Sequence, residues 1–254
     1  MTIPSSSPRR IVIVGATSAI AEHCARQWLA EGPSTLTLVG RDAARTERVA
    51  ADLRVRSPQS AIDVRTTDFE DPRAIQALAT TLAATGAIDI VLIAHGSLPE
   101  QQVVQADLEA NRAALQINAV SPVLFAEAFA APLQHSGRGT LAIIGSVAGD
   151  RGRRSNYVYG AAKGLVARYA EGLQHRFAGT AVRVVLVKPG PTATPMTAHL
   201  ANGGRALAPV DRVAADIVRA VARGTPVCYT PGKWALIMGV IRHLPRAVFN
   251  RMDI

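Results

Sequence analysis

Three side chains between positions 146 and 163 have the types and spacing of a proton-transfer site. Ser146 precedes Tyr159 by thirteen residues, and Lys163 follows four residues later. Side chains four apart on a helix share one face, so the Lys163 ammonium would lie beside the Tyr159 phenol. A neighbouring cation stabilises a phenolate and lowers the tyrosine pKa, and the Ser146 hydroxyl could hold a carbonyl oxygen. This set suits reduction of a ketone or oxidation of an alcohol, provided that another group supplies the hydride.

The elements that must position these residues are predicted to alternate between strand and helix. Short runs rich in Val, Ile and Leu predict seven strands, at 10–14, 34–39, 62–67, 88–94, 141–145, 181–187 and 226–230. Helical patterns lie between them, up to about residue 30 and at 43–56, 72–84, 101–135, 156–177 and 211–223. This alternation predicts an α/β Rossmann fold, a single domain over residues 1–254 with a seven-stranded parallel, doubly wound sheet and helices on both faces.

A glycine-containing turn follows the first strand. Residues 15–21, GATSAIA, join strand to helix in the layout that places a pyrophosphate at a helix N-terminus. Gly15 is kept, whereas Ala19 and Ala21 stand where further glycines would allow closer backbone approach. The turn therefore predicts a somewhat tighter dinucleotide site, contacted by Gly15, Thr17, Ser18 and Ile20.

The end of the second strand indicates which dinucleotide would bind. An arginine there pairs with a 2′-phosphate, whereas an acidic residue accepts hydrogen bonds from ribose hydroxyls. Arg41 favours NADP(H), and Asp42, one residue later, leaves NAD(H) as the less favoured alternative. We interpret Asp42 preferentially as the N-cap of the next helix. Asp68 and Phe69, at the end of the third strand, are predicted to touch the adenine ring.

Other polar residues lie at strand ends or within apolar stretches. His95 follows the fourth strand, where a lone histidine is more often structural than catalytic. Asn118 lies in an apolar helical stretch, where a buried amide needs hydrogen-bond partners. Residues 191–209 are rich in Pro, Thr, Gly and Ala and long enough for a mobile segment, so we predict a lid over 190–210.

Composition excludes several classes of function. The net charge is +9, but the arginines are scattered without a basic block or aromatic interleaving, so no nucleic-acid binding is predicted. Cys24 and Cys228 are far apart and indicate neither a disulfide framework nor a metal site. The N-terminal MTIPSSSPRR shows no secretory signal, and no apolar run reaches the ~18 residues of a membrane span. A cytoplasmic location is expected.

In the order of its motifs, the chain resembles the short-chain dehydrogenase/reductase family over about residues 10–230. The matching positions are Gly15, Asp68, Phe69, Asn118, Ser146, Tyr159, Lys163, Pro189, Gly190, Thr192 and Thr194. Two departures fall on the cofactor side. The family's three-glycine turn is Gly-Ala-Ala here, and Ile93-Ala94-His95-Gly96 stands where the family usually has Asn-Asn-Ala-Gly.

The resemblance implies a role for each matching residue. Tyr159 would be the general acid, Ser146 would orient the carbonyl, and Asn118 would support a water in the proton relay. Lys163 would hold the nicotinamide ribose and lower the tyrosine pKa. The implied cofactor contacts continue with Ala94, Gly96 and Pro189, then Gly190 and Thr192 facing the nicotinamide and Thr194 the phosphates. The family also implies a homodimer or homotetramer.

Two basic segments bear on the substrate. Arg151, Arg153 and Arg154 could bind a phosphate or carboxylate, or could lie on a solvated surface or at an oligomer contact. The tail, residues 232–254, joins an apolar patch to several cations. It predicts an interfacial segment with peripheral contact at the inner face of a membrane, or else a packed or dimer-forming helix.

Three short segments narrow the resemblance further: DRGRRSNYVYG, PMTAHL and IRHLPRAVF. They are similar to the branch that reduces a polyprenyl-phosphoryl 2-keto-pentose, the reductase partner in making decaprenylphosphoryl arabinose for a cell-wall polysaccharide. Alternatives within the enzyme class are a β-ketoacyl reductase and a ketosteroid- or retinal-type reductase. Alternatives of another class are a non-catalytic NADP-sensing regulator and a membrane-surface scaffold.

Overall fold

A seven-stranded parallel sheet forms the centre of the molecule. The structure, a computed structural model, describes residues 8–198 and 206–252. The strands are β1 (Arg9–Val14), β2 (Ser34–Gly40), β3 (Ala61–Thr66), β4 (Ile90–Ile93), β5 (Gly139–Ile144), β6 (Val182–Pro189) and β7 (Val227–Thr230). They lie in the order β3-β2-β1-β4-β5-β6-β7, and all neighbours pair in parallel. The predicted doubly wound sheet is confirmed.

The helices cover both faces of this sheet. They are α1 (Ala19–Glu31), α2 (Ala43–Arg56), α3 (Pro72–Ala84), α4 (Gln101–Ala106), α5 (Leu108–Leu115), α6 (Ser121–Ser136), α7 (Tyr157–Arg176), α8 (Val210–Arg223), α9 (Lys233–His243) and α10 (Arg246–Phe249). A π-helical turn spans Gln116–Val120, and 3₁₀ turns span Val147–Asp150 and Pro195–Thr197. Helices α1, α2 and α8 bury apolar side chains on one face, and α3, α6 and α7 on the other.

Strand β1 shows why the sheet must be covered on both faces. Its residues alternate between two separate cores: Ile11 and Ile13 pack with α1, whereas Val12 and Val14 pack with Phe125 of α6. All four are at most 2% exposed. A continuous run of branched apolar residues is the pattern of such a doubly buried parallel strand.

The helical region predicted for 101–135 is divided into several pieces. The Asp107 carboxylate accepts hydrogen bonds from the backbone amides of Glu109 and Ala110, so it ends α4 and caps the start of α5. The π-helical turn then inserts an extra residue around Asn118 before α6 begins. The predicted tail also divides, because Pro245 separates α9 from α10.

One stretch meets the length and composition of a membrane span, which the sequence analysis did not expect. The helical run Leu108–Ser136 has 29 residues, a mean hydropathy of 1.3 over its most apolar window, and 56% of that window buried. It includes Phe125 and Phe129, which pack in the core beneath the sheet. Core helices pass the same test, so this stretch is weak evidence for a membrane span.

Parts of three predicted segments lie outside the described residues. These parts are residues 1–7 of the N-terminal segment, 199–205 of the predicted lid and 253–254 of the tail.

Candidate active site

A cavity of about 460 Å³ opens at the carboxyl ends of the central strands. Its lining includes Gly96 after β4, Ser146 after β5 and Gly190 after β6. Ser18 and Ile20, at the start of α1, complete the side nearest β1. Ligands of open α/β sheets bind at this edge, so the topology brings together residues that are far apart in the chain.

Ser146 and Tyr159 meet in this cavity. Ser146 is the N-cap of the Val147–Asp150 turn, and its Oγ accepts a hydrogen bond from the amide of Ala148 at 3.1 Å. The Ser146 side chain also hydrogen-bonds the phenol of Tyr159. Tyr159 and Lys163, predicted as an i,i+4 pair, both lie on α7 and both line the cavity.

Lys163 is buried beneath the tyrosine. Its side chain donates a hydrogen bond from Nζ to the carbonyl oxygen of Ile144 at 3.0 Å, and Nζ lies 5.8 Å from the centroid of the Tyr159 ring. Lys163 is 3% exposed, and burial lowers the pKa of its ammonium to about 8. A buried ammonium loses its solvation, so near neutral pH the cation is retained by a narrow margin.

The predicted lowering of the Tyr159 pKa is not found. Burial raises the pKa of the phenol, and the hydrogen bond with Ser146 opposes that shift. The Lys163 ammonium donates its hydrogen bond to the Ile144 carbonyl. A buried phenolate is stable only when close donors replace the water that it loses, so burial disfavours the ionised form of Tyr159. Tyr159 is therefore held as a neutral phenol, the form that donates a proton.

Asn118 has the partners that a buried amide requires. Its Oδ1 accepts from the Ser97 amide at 2.8 Å, and its Nδ2 donates to the Ser97 hydroxyl at 3.2 Å and the Ala114 carbonyl at 3.0 Å. A Cβ on Gly96 would lie 2.8 Å from Asn118 Oδ1 and 3.6 Å from Lys163 Nζ. Asn118, Gly96 and Lys163 therefore converge at one point of the cavity wall.

The turn after β1 packs closely against the end of β4. Gly15 has φ +81°, and a Cβ there would lie 2.6 Å from the backbone nitrogen of His95. Only glycine allows this approach without strain. Ser18 stands at the N-cap of α1, Thr17 is exposed, and Ala21 is buried in the core. The helix N-terminus thus faces the cavity, as dinucleotide binding requires.

Arg41 and Asp68 line a second, more open cavity with Thr66 and Thr67. The Arg41 guanidinium lies 5.9 Å from the centroid of the Phe69 ring. That ring is 2% exposed and packs in the core, so Phe69 offers a ligand its backbone rather than its side chain.

The neighbouring Asp42 is an N-cap, as predicted. Its Oδ1 accepts a hydrogen bond from the Arg45 amide at 2.9 Å at the start of α2. Because α2 uses this carboxylate, Arg41 is the better placed of the two side chains to meet a ligand at this edge.

His95 is partly buried where the main cavity meets the core, and its contacts favour the structural interpretation. Its Nε2 lies 2.9 Å from the hydroxyl oxygen of Ser121, and its ring packs edge-on against Phe69 and Phe125 at centroid distances of 4.7 and 5.4 Å. Burial, with the charges of Lys163 and Arg41, lowers its pKa to about 3. A neutral imidazole with this pKa does not exchange protons near pH 7.

The segment after β6 forms the opposite wall. The buried Thr192 hydroxyl donates to the Gly190 carbonyl at 2.9 Å, and Thr194 caps the Pro195–Thr197 turn. A methyl group on Gly190 would overlap the indole of Trp234. Among the cavity residues absent from the sequence predictions are Trp234, Met196, Leu98 and Asn156. Trp234 belongs to the tail, residues 232–254, for which the sequence predicts an interfacial segment or a packed helix.

Arg151 and Arg153, which the sequence places in one cluster, lie in different environments. The Arg151 guanidinium donates to the carbonyl oxygens of Ile241 and Leu244, the latter at 2.8 Å, and lies 3.8 Å from the centroid of the Phe249 ring. Arg151 thus holds the C-terminal helices and is not placed as an anion site. Arg153 lines the main cavity.

A doubly wound parallel sheet with serine, tyrosine and lysine at its carboxyl edge is the architecture of a dinucleotide-dependent dehydrogenase or reductase. Comparison with known proteins agrees. The chain belongs to the short chain dehydrogenase family, whose profile matches residues 9–204.

Similar proteins match over nearly their whole length. An uncharacterised oxidoreductase in the mprA 5′ region of Streptomyces coelicolor is 34% identical over 251 residues, covering 98% of this chain and 97% of that protein. An uncharacterised oxidoreductase of Mycobacterium tuberculosis is 36% identical over 245 residues, covering 95% and 96%. A short-chain dehydrogenase from Sphingobium yanoikuyae, solved with NADPH, is 25% identical, with a TM-score of 0.78 and coverage of 94% and 97%.

Proposed function

We propose that this oxidoreductase reduces a ketone to an alcohol with NADPH and uses Tyr159 as the proton donor. The observation that carries the proposal is the hydrogen-bonded pair of Ser146 and Tyr159. It faces the same cavity as the α1 N-terminus and the 189–194 segment. Two hydroxyl donors at one point can bind one carbonyl oxygen, and positioned donors stabilise the charge that develops there.

NADPH, when bound, supplies the hydride to the carbonyl carbon. The Ser146 hydroxyl donates a hydrogen bond to the carbonyl oxygen, and the Tyr159 phenol gives its proton to that oxygen. The resulting phenolate is stabilised by the Lys163 ammonium, whose Nζ already lies 5.8 Å from the ring centroid. Asn118, held by three hydrogen bonds, supports the water through which Tyr159 regains a proton.

Replacing Tyr159 with phenylalanine tests this mechanism. The change removes one hydroxyl and leaves the ring, so NADPH should still bind with a similar Kd. Loss of a general acid typically costs 10²–10⁴-fold in rate, and kcat for ketone reduction should fall by about that factor. Tyr157→Phe, an exposed tyrosine two residues away, is the matched control. Undiminished turnover by Tyr159→Phe would refute the mechanism.

The residues at the ends of β2 and β3 support a preference for NADPH over NADH. Arg41 lies beside the cavity that includes Asp68, and its guanidinium can pair with a 2′-phosphate. Gly15, Thr17, Ser18 and Ile20 would hold the phosphates, with Thr194 on the other side. Ala94, Gly96, Pro189, Gly190 and Thr192 would contact the nicotinamide riboside. The Sphingobium relative binds NADPH, which agrees with this assignment.

Arg41→Ala should weaken NADPH more than NADH. A charge-assisted hydrogen bond contributes roughly 1.5–3 kcal/mol, which corresponds to a rise in the NADPH Kd of about 10–150-fold. The Kd for NADH should change by less than about threefold in the same fluorescence titration. Equal losses for the two cofactors would contradict the assignment of Arg41 to the 2′-phosphate.

The cavity supports a lipophilic ketone that carries an anionic group. Much of its wall is apolar, from Ile20, Leu98, Met196 and Trp234, and Arg153 contributes a cation. A polyprenyl-phosphoryl 2-keto-pentose combines these features with a ketone, which would give the enzyme a place in cell-wall polysaccharide synthesis. A β-ketoacyl or other lipophilic ketone is the alternative.

A pair of probe ketones separates these substrates. Synthetic farnesylphosphoryl 2-keto-pentose and 2-decanone would be compared for NADPH oxidation by wild type and Arg153→Met. The proposal expects at least a tenfold higher kcat/KM for the phosphorylated sugar, and a selective loss of this advantage in the variant. Equal kcat/KM values would favour the alternative. NADPH binding without oxidation by any ketone would instead favour a regulatory protein that senses NADP.

The C-terminal helices support contact with a membrane surface. Leu236 and Val240, four residues apart on α9, are 76% and 56% exposed, and Val248 of α10 is 49% exposed. Residues 231–252 contain four Lys or Arg side chains and neither Asp nor Glu. An apolar face with a cationic rim binds anionic lipid interfaces. We therefore propose peripheral attachment at the inner face of the membrane. The lid over 190–210 stays a prediction, because residues 199–205 lie outside the described part of the chain.

Co-sedimentation with vesicles tests the membrane contact. Wild type should pellet with vesicles containing phosphatidylglycerol and not with pure phosphatidylcholine, and Leu236→Glu should reduce pelleting at least fivefold. Val55→Glu changes a similarly exposed apolar side chain on α2 and should leave pelleting unchanged. If Leu236→Glu instead shifts a dimer or tetramer to monomer in size-exclusion chromatography, the apolar face is a subunit contact.

A further inference from the structure

A buried ion pair joins the two segments that carry the active-site residues. Asp150 ends the turn after Ser146, and Lys188 is the next-to-last residue of β6. The Lys188 Nζ lies 2.5 Å from Asp150 Oδ1, and the two side chains are only 6% and 2% exposed. The Tyr229 hydroxyl donates to the other carboxylate oxygen of Asp150 at 2.6 Å. Both carboxylate oxygens therefore have a strong donor.

Stability does not explain why these charges are buried. Desolvating a carboxylate and an ammonium costs several kcal/mol per ion, and apolar replacement of a buried pair is often neutral or stabilising. Such a pair can instead fix the relative position of the two segments that carry it, since moving either partner away leaves an unpaired buried charge. The question is therefore which geometry this pair fixes.

The pair extends the link between β5 and β6 beyond the end of their ladder. Their last paired residues are Ile144 and Val187, and one more backbone bond follows, from the Gly145 amide to the Val187 carbonyl at 2.7 Å. Past this point one segment continues to Ser146 and the other to Gly190. The Asp150–Lys188 contact ties the two segments together again.

The turn that carries Asp150 is also fixed against α7. A Cβ on Gly149 would lie 2.7 Å from the carbonyl carbon and oxygen of Lys163, so the turn packs directly on the helix that carries Tyr159. A change in the position of Asp150 therefore moves Ser146 relative to both Tyr159 and the 189–194 segment.

We propose that Asp150 and Lys188 are positioning residues that set the distance between the Ser146 hydroxyl and the cofactor-facing segment 189–194. This inference rests on the proposed ketone reduction. Neither residue touches the reacting atoms; they act through Ser146 and through Pro189-Gly190. Tyr229 supports the pair by holding the second carboxylate oxygen, and burial and its bond to Asp150 raise the pKa of the phenol, so it stays a donor.

The test combines hydrogen exchange with kinetics. In Lys188→Met, backbone amides of 145–151 and 189–194 should exchange at least tenfold faster without cofactor, while those of β1 and β2 keep their rates. With 2-decanone or the farnesylphosphoryl probe, kcat should fall at least tenfold and the deuterium isotope effect from 4-deuterated NADPH should rise. Lys188→Arg keeps the charge and should restore both readouts to within about threefold of wild type.

Two further variants keep the test informative if Lys188→Met does not fold. The double change Asp150→Asn with Lys188→Met removes both charges, and Tyr229→Phe removes a single hydrogen bond. Each should accelerate exchange in the same two segments. Exchange that rises equally across the whole sheet, or a kcat that stays at the wild-type value, would overturn the positioning role. A wild type inactive on every ketone would instead refute the proposed function. The exchange data would still show whether the Asp150–Lys188 pair holds segments 145–151 and 189–194 in place.

Discussion

His95 gives the structure a testable dependence of stability on pH. Burial is the main cause that lowers the pKa of its imidazole from 6.5 to about 3. In the unfolded chain the imidazole returns to its ordinary pKa. Between pH 3 and 6.5 the unfolded state therefore binds one more proton than the folded state. Stability must rise with pH across this window and be lost on acidification.

The expected loss follows from the two pKa values. For an unfolded-state pKa of 6.5 and a folded-state pKa near 3, the free energy of unfolding falls by about 2 kcal/mol between pH 7 and pH 5. The Asp52 carboxyl, whose pKa is lowered by its hydrogen bond to Arg56, loses its contribution only below about pH 4.

Urea unfolding at pH 7, 6 and 5 measures this loss. His95→Asn keeps a hydrogen-bonding group toward Ser121 but cannot titrate, so its stability should change by less than about 0.5 kcal/mol over this interval, whatever its absolute value. His135→Asn, at an exposed histidine of α6, should keep the wild-type slope. An identical slope in wild type and His95→Asn, or an NMR titration of folded His95 between pH 6 and 7, would refute the reasoning.

Two glycine substitutions test the shape of the cavity. Gly15→Ala should weaken NADPH binding at least tenfold by fluorescence titration, because the new methyl would meet the His95 backbone. Gly179→Ala is its control, since this glycine has φ +77° with open space around it; similar losses of NADPH affinity in the two would count against crowding. Gly190→Ala should displace Trp234 and raise KM for the ketone at least fivefold in steady-state assays. The added change Trp234→Ala should recover most of that loss, and failure to recover would remove the indole as the cause.

The sheet and the position of the site could be predicted because they depend on local patterns. Runs of branched apolar residues mark each strand, and the strand ends then bring Ser146 and Gly190 to one edge whatever the details of the loops. Asp42 was predicted as a cap for the same reason, since an aspartate before a helical pattern satisfies the first free amides. Spacing of four residues sufficed for Tyr159 and Lys163.

The properties that the sequence did not reveal depend on burial and on distant partners. The i,i+4 spacing brings Lys163 near Tyr159, but desolvation decides the direction of the tyrosine pKa shift. The Asn118 amide in the π-helical turn finds its partner in Ser97, which is 21 positions away in the chain. Arg151 looks like an anion site in the linear sequence because its acceptors, the carbonyls of Ile241 and Leu244, lie 90 and 93 positions away.

Several contacts between residues far apart in the chain meet around one wall of the cavity. Arg151 holds the end of α9, Trp234 at its start packs on Gly190, and Lys188 binds the residue before Arg151. The wall opposite the α1 N-terminus is therefore assembled by the C-terminal part of the chain, whereas Ser146 follows β5 and Tyr159 lies on α7. A change in the tail can alter the cavity without moving Tyr159. We therefore expect substrate selection to follow residues 231–252, while the chemistry follows the serine, tyrosine and lysine.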